Sequence, residues 1–209
     1  MKSLSEIVRR NLSPRILGFD DAPFQSRPRV PGSEVHAVGV VTSLDRFEGM
    51  LYCGEILQDG LNAGERLADA VCKSKFHDQI HAIFLDGVTM GGLNVIDIQN
   101  LADALQRPVI AVMRSQPNIE KMLNAIGKLP LAEERRMKLS AAGPIHQIGN
   151  WIFQYRCPRD GEVENPTAQD VATLLDRCTP EGTQKIPECL RIAHLIGAAI
   201  KCGQSSSAA

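Results

Sequence analysis

The chain has 209 residues, 44% of them hydrophobic, and 23 lysines and arginines stand against 24 aspartates and glutamates for a formal net charge of −1. That length suits one compact domain, and the near-neutral balance excludes an overall field able to hold a polyanion, so any nucleic-acid contact must be local. No run approaches the roughly 18 apolar residues of a membrane span, and none of the six cysteines stands in a Cys-x-x-Cys pair, so a cytoplasmic protein with reduced thiols is expected.

Residues 1–14 are expected to form a short amphipathic helix, because Leu4, Ile7, Val8 and Leu12 interleave with Lys2, Glu6, Arg9 and Arg10. A secretory signal needs a continuous apolar stretch instead. Residues 15–20 read as a buried strand with Asp20 and Asp21 at its exit, and Pro28 and Pro31 mark the loop that follows. Residues 35–41 and 50–57 read as two further strands joined by a charged turn over 45–49, which makes a three-strand antiparallel meander. Asn62 is placed to cap a helix running to about Lys75. The apolar run 82–85 then predicts a central strand ending in Asp86-Gly87, followed by a helix over 95–105 and a strand over 109–113. Strands alternating with helices argue for parallel pairing. Helices are expected from Pro117-Asn118 through Ile126, over 131–141, from Thr167 to Arg177 and from Pro187 to Ala199. Residues 143–156 return to strand-like side chains, Trp151, Ile152, Phe153 and Tyr155 among them. The small polar tail 203–209 reads as disordered. One domain over 1–209 results, an α/β fold of ribonuclease H-like layout: a mixed sheet of meander plus parallel strands, flanked by helices.

Charge is distributed unevenly. Residues 31–70 carry seven acidic groups against two basic ones, and a local excess of carboxylates is either a solvated face or a cation site. In the layout above, the exits of the first and fourth strands lie side by side, which would bring Asp20 or Asp21 near Asp86. Converging carboxylates repel one another, and protons or a divalent cation relieve the repulsion. Hard oxygen ligands favour magnesium or manganese, which suit phosphodiester hydrolysis. An aspartate at a strand exit also has an ordinary role in turns and caps.

Three segments carry a resemblance: Ile16-Leu17-Gly18-Phe19-Asp20-Asp21-Ala22-Pro23-Phe24, Phe84-Leu85-Asp86-Gly87-Val88-Thr89-Met90-Gly91-Gly92-Leu93-Asn94-Val95, and Ile186-Pro187-Glu188-Cys189-Leu190-Arg191-Ile192-Ala193-His194. They resemble, in this order, the family called domain of unknown function 99 or uncharacterised protein family 0215, which in turn is similar to endonuclease V, a magnesium-dependent nuclease acting on strands with deaminated adenine. The resemblance implies Asp20 as the first-strand metal aspartate, Asp86 as the aspartate of the apolar-Asp-Gly strand end, Glu65 as the catalytic glutamate and His194 as a histidine near the metal. It implies Asp20, Glu65 and Asp86 as ligands of magnesium or manganese, to which the neighbouring Asp21 is added as a supporting metal residue, and it sets Arg114 where a lysine usually follows the next strand, to hold a substrate phosphate or pair with a carboxylate. Residues 88–92 replace a histidine-containing loop of endonuclease V, and there Gly91-Gly92 either leaves room for the backbone of a nucleic-acid substrate or forms a turn. The chain departs from endonuclease V where that family carries a Pro-Tyr-Ile-Pro wedge: Glu55-Ile56-Leu57-Gln58-Asp59-Gly60 stands there, and recognition of a deaminated base is not implied. Two functions follow, a metal-dependent nuclease or a nucleic-acid- or nucleotide-binding protein without turnover. Arg135, Arg136 and Lys138 read as a solvated helix face, and Cys189 as packing.

Overall fold

The computed structural model describes residues 2–161, 164–182 and 186–205. Its elements in chain order are α1 (Leu4–Arg9), β1 (Arg15–Asp21), β2 (Glu34–Ser43), β3 (Arg46–Leu57), α2 (Ala63–Cys72), β4 (Ala82–Asp86), β5 (Thr89–Met90), β6 (Asn94–Val95), α3 (Ile98–Leu105), β7 (Val109–Met113), α4 (Ile119–Ile126), α5 (Ala132–Ala141), β8 (His146–Ile148), β9 (Trp151–Arg156), α6 (Ala168–Arg177) and α7 (Glu188–Cys202). Seven strands form one sheet in the order β3-β2-β1-β4-β7-β9-β8, and β5 and β6 form a separate hairpin. β1, β2 and β3 pair antiparallel, whereas β1, β4 and β7 run parallel. This is the expected mixed sheet, with helices on both faces.

The three parallel strands are apolar on both sides. Leu17 and Phe19 of β1, Ile83 and Leu85 of β4, and Val109 and Ala111 of β7 join a core with α2, α3 and α5. Ile16, Ala82, Phe84, Ile110 and Val112 face the opposite core, built with α1, α6 and α7. Such two-sided burial is what makes a parallel strand read as a continuous apolar run.

Helix α7 is seated against β1 through two glycines. A Cβ on Gly18 would lie 2.6 Å from the Cys189 sulfur, and one on Gly197 would lie 3.1 Å from the Ala22 Cα. Cys189 is fully buried, and burial holds its thiol well above the ordinary range, so it packs rather than reacts. The Glu188 and Arg191 side chains close a two-pronged ion pair at the start of this helix, at 2.6 and 2.7 Å.

Several expectations are corrected. The β2–β3 turn is confined to Leu44 and Asp45, so β3 begins at Arg46 and is longer than expected. The stretch expected as a helix over 95–105 opens with β6, and α3 starts only after Asp97, whose side chain accepts the Asn100 N–H. Asn62 does not cap α2 with its side chain; Asn94 does so from β6, accepting the Ala63 N–H at 3.1 Å. Arg135 is buried, not solvated: its guanidinium donates to the carbonyls of Asp59, Gly60, Leu93 and Pro130. Five donors in a fixed fork suit it to gathering carbonyls that have no other partner. Of the expected disordered tail, residues 206–209 lie outside the described residues.

Gly18→Ala is expected to destabilise the protein by about 1–3 kcal/mol, because a methyl group cannot enter the β1–α7 contact without moving the helix. Urea unfolding measures it, and an unchanged midpoint would mean that α7 is not seated this way.

Candidate functional site

The β1–β4 register runs Ile16↔Ala82, Leu17↔Ile83, Gly18↔Phe84 and Phe19↔Leu85. One step further, the same register sets Asp20 beside Asp86 at the C-terminal ends of neighbouring parallel strands. Parallel strands lie about 4.8 Å apart and alternate side chains share a face, so both carboxylates emerge on the face covered by α7. Asp21, the next residue, turns to the other face.

Each carboxylate has different company. Asp20 is buried; its Oδ1 accepts the Asp21 N–H at 2.8 Å, and its Oδ2 meets His194 Nδ1 at 2.9 Å. That bond raises the His194 pKa, against the opposing effect of burial. Asp86 takes a hydrogen bond from Arg114 at 3.2 Å, and Arg114 is half exposed. Burial and the Asp20 charge push the Asp86 carboxyl up, while Arg114 pulls it down. Asp21 Oδ2 accepts the Gly91 N–H. Burial, then repulsion by Asp20, moves the Asp21 carboxyl up to about 7.

Of the residues singled out in the sequence, the fold thus brings together Asp20, Asp21, Asp86, Arg114 and His194. It leaves Glu65 apart, exposed in the first turn of α2 and lining a groove of about 440 Å³ with Asp69, Asp97 and Lys138. The expected four-carboxylate metal set does not assemble: among the described residues no three His, Cys, Asp or Glu side chains stand together as they would around one ion. The reason is geometric, since consecutive residues of a strand face opposite ways and α2 aims Glu65 at α3. Of the two readings of Gly91-Gly92, the structure has the turn: both have positive φ and lie between β5 and β6 of the hairpin. The Gly91 N–H is spent on Asp21 and its carbonyl on the Asp59 N–H.

The residues that sequence reasoning missed are Gln58 and Asp59, both buried directly after β3. Asp59 Oδ1 accepts from Leu93 N–H at 2.8 Å and from Arg29 at 2.6 Å. The one available signal was a polar pair standing where β3 ends and an apolar helix face has yet to begin.

Residues 13–201 match the family described as endonuclease dU. The chain belongs to the endonuclease dU family. Among curated relatives of this endonuclease dU member, a UPF0215 protein of Archaeoglobus fulgidus is 37% identical over 91% of this chain and 96% of its own length. One of Methanosarcina barkeri is 38% identical over 91% and 92%. A solved A. fulgidus structure of a protein of unknown function superposes with a TM-score of 0.78 at 36% identity, covering 89% of this chain and 97% of that one. Endonuclease V of Ciona intestinalis, crystallised with a 24-mer DNA containing an inosine followed by a ribo-adenosine, matches with a TM-score of 0.52 at 14% identity over 92% and 87%. That likeness shows a shared ribonuclease H-like fold. Among the described residues of this endonuclease dU chain, no helix is long and apolar enough to cross a membrane.

The raised Asp21 carboxyl fixes the sign of a pH effect. Its folded pKa of about 7 lies above the ordinary 3.8, so the folded state binds the extra proton between those values and loses stability as pH rises through them. Asp21→Asn should therefore stabilise the metal-free protein at pH 8 by on the order of 1–3 kcal/mol, and by much less at pH 5. Urea unfolding in a chelating buffer at both pH values measures this; equal differences would remove Asp21 from the electrostatics of the cluster.

Proposed function

We propose that the protein is a divalent-cation-dependent endonuclease that hydrolyses a phosphodiester bond of nucleic acid, with Asp20 and Asp86 as cation ligands. The observation that supports this best is the register that sets these two carboxylates side by side at the ends of β1 and β4. Two like charges held close have a strained ionisation, which a cation relieves. The donor set fits magnesium or manganese, since magnesium is commonly held by only one or two carboxylates, with water and substrate phosphate oxygens completing its shell. When bound, such an ion supplies a lowered pKa for its water and charge neutralisation at the phosphoryl group.

The remaining residues act on their own account. His194 holds a proton on Nδ1 toward Asp20 and so orients that carboxylate. Its Nε2 has no partner among the described residues and is available to a phosphate oxygen or a leaving group. Arg114 neutralises Asp86 in the resting protein and, being half exposed, can turn to a phosphate when a cation takes its place. Asp21 pins the Gly91 turn.

For the substrate, the family's description as endonuclease dU and the inosine-containing DNA in the Ciona endonuclease V complex both point to deaminated bases. Deoxyuridine in DNA is the first choice. That no group of three His, Cys, Asp or Glu side chains is arranged to hold an ion among the described residues favours a second reading, in which the same surface binds nucleic acid without turnover.

One experiment separates them. Single- and double-stranded oligonucleotides containing deoxyuridine, inosine or no altered base are incubated with the protein and magnesium or manganese, and products are resolved on a denaturing gel. Metal-dependent nicking is expected with wild type, with a loss of at least about 100-fold in Asp86→Ala. Magnesium should also raise the melting temperature of wild type at pH 8 and leave that of Asp86→Ala unmoved. Binding without cleavage under every condition would leave the second reading.

A further inference from the structure

The β1–β2 loop, residues 22–33, leaves the sheet at the strand end that carries Asp20 and Asp21. It contains two arginines, Arg27 and Arg29, and no acidic residue, although the forty residues from 31 onward are strongly acidic. Residues 27–31 are all exposed. An exposed loop of this length would ordinarily sample many conformations, yet this one is fastened at each end and in the middle. The Gln58 backbone exchanges hydrogen bonds with Gly32 and Ser33 at 2.8 and 2.7 Å. Its buried side chain donates to the Gln25 carbonyl and accepts from Ser33 Oγ and the Val30 N–H. Arg29 is tied by one guanidinium nitrogen to Asp59, whose side chain is wholly buried while that of Arg29 is 47% exposed.

The same Asp59 links the loop to the acidic cluster. Asp21 Oδ2 accepts from Gly91 N–H, the Gly91 carbonyl accepts from Asp59 N–H, and Asp59 Oδ1 accepts from Arg29. Three hydrogen bonds therefore run without a gap from the acid cluster to the basic loop. Burying an aspartate and a glutamine is costly unless their bonds are made. Here the Gln58 side-chain bonds all go to the loop, and Asp59 divides its Oδ1 between the Arg29 guanidinium and the Leu93 N–H while its Oδ2 has no partner among the described residues.

We propose that the Arg27-Pro28-Arg29 tip is a backbone-phosphate contact for the nucleic-acid strand whose reacting bond lies at Asp20 and Asp86. The proposal rests on the nuclease reading for the position of that bond, but not for the contact itself. Guanidinium groups recognise phosphate through paired hydrogen bonds and are more weakly hydrated than ammonium groups. Arg27 has no ion-pair partner among the described residues, and Arg29 keeps part of its guanidinium free of Asp59. A fixed tip loses little conformational entropy on binding. Contacts of this kind position a strand and carry no sequence information. The proposal thus assigns the loop affinity and register, leaving base choice to other parts of the surface.

Fluorescence anisotropy with a labelled 20-mer, single-stranded and duplex, tests it over a range of salt in chelating buffer, where no cleavage can occur. Arg27→Ala should weaken binding by about tenfold, equally for deoxyuridine-containing and unaltered strands, and should reduce the log K against log salt slope by about 0.7–0.9. Arg27→Glu should weaken it further, and Arg27→Lys should restore the slope. Unchanged affinity and slope in Arg27→Ala overturn the proposal, even if wild type cleaves and Asp86→Ala does not. The expected losses in a protein that never cleaves would keep the proposal while the nuclease reading fails. A wild-type protein that binds neither oligonucleotide overturns the proposal, and the nicking assay with magnesium or manganese then decides the nuclease reading by itself.

Discussion

Two carboxylates fixed at the ends of neighbouring parallel strands repel each other, and the organisation around them answers that repulsion. The sheet imposes the arrangement: once β1 and β4 pair with Phe19 opposite Leu85, Asp20 and Asp86 have no freedom to separate. A one-residue slip of β1 against β4 would put the two on opposite faces, but it would also exchange the side chains that the slipped strand gives to the two cores, so core packing holds the register. The compensation is local. His194 answers Asp20, Arg114 answers Asp86, and Asp21 gives up its charge near neutrality in favour of a proton. Perturbed carboxyl groups held together in this way are a common mark of functional sites.

The polar interior extends beyond the carboxylates. Gln58, Asp59, Asn94 and Arg135 are buried, and each bonds backbone groups of the surrounding loops and of the α2 start, with Arg29, Ser33 and Asn62 side chains as further partners and Asp59 Oδ2 left without one among the described residues. Arg135 gathers the carbonyls of the β3–α2 connection and of Leu93, while Asn94 caps α2 from the hairpin. These side chains replace the strand pairing that the loops lack, and each satisfied bond removes a buried group that would otherwise cost about 1–3 kcal/mol. The loop end of the fold is therefore rigid for a different reason from the sheet: polar staples rather than apolar packing.

Much of this was legible in the sequence, because a two-sided apolar strand followed by Asp-Gly or Asp-Asp is a strong local signal. β1, β4 and β7 stand where the runs 15–20, 82–85 and 109–113 put them, and Thr167 opens α6 with a full capping box. The β5–β6 hairpin was not legible. Its strands are two residues each, too short for alternation to register, and Val95 and Ile96 look like the start of the next helix. Glu65 shows a different limit: a separation along the chain fixes neither the direction of a helix nor the face it offers. Arg135 shows a third, since a charged residue between Glu134 and Arg136 gives no local sign that its guanidinium is surrounded by carbonyls. Gln58 and Asp59 stand out in the sequence only as a departure from the wedge, and their partners Arg29, Ser33 and Leu93 are all distant along the chain.

The bond between Asp20 and His194 joins residues 174 apart. During synthesis β1 is made before α7, and its carboxylate stays without that imidazole until α7 settles on Gly18. The sheet can begin to form without that helix, whereas the finished acidic centre cannot. The acidic centre is thus closed by two segments far apart along the chain, and each leaves the other's charge unanswered until α7 has settled on Gly18.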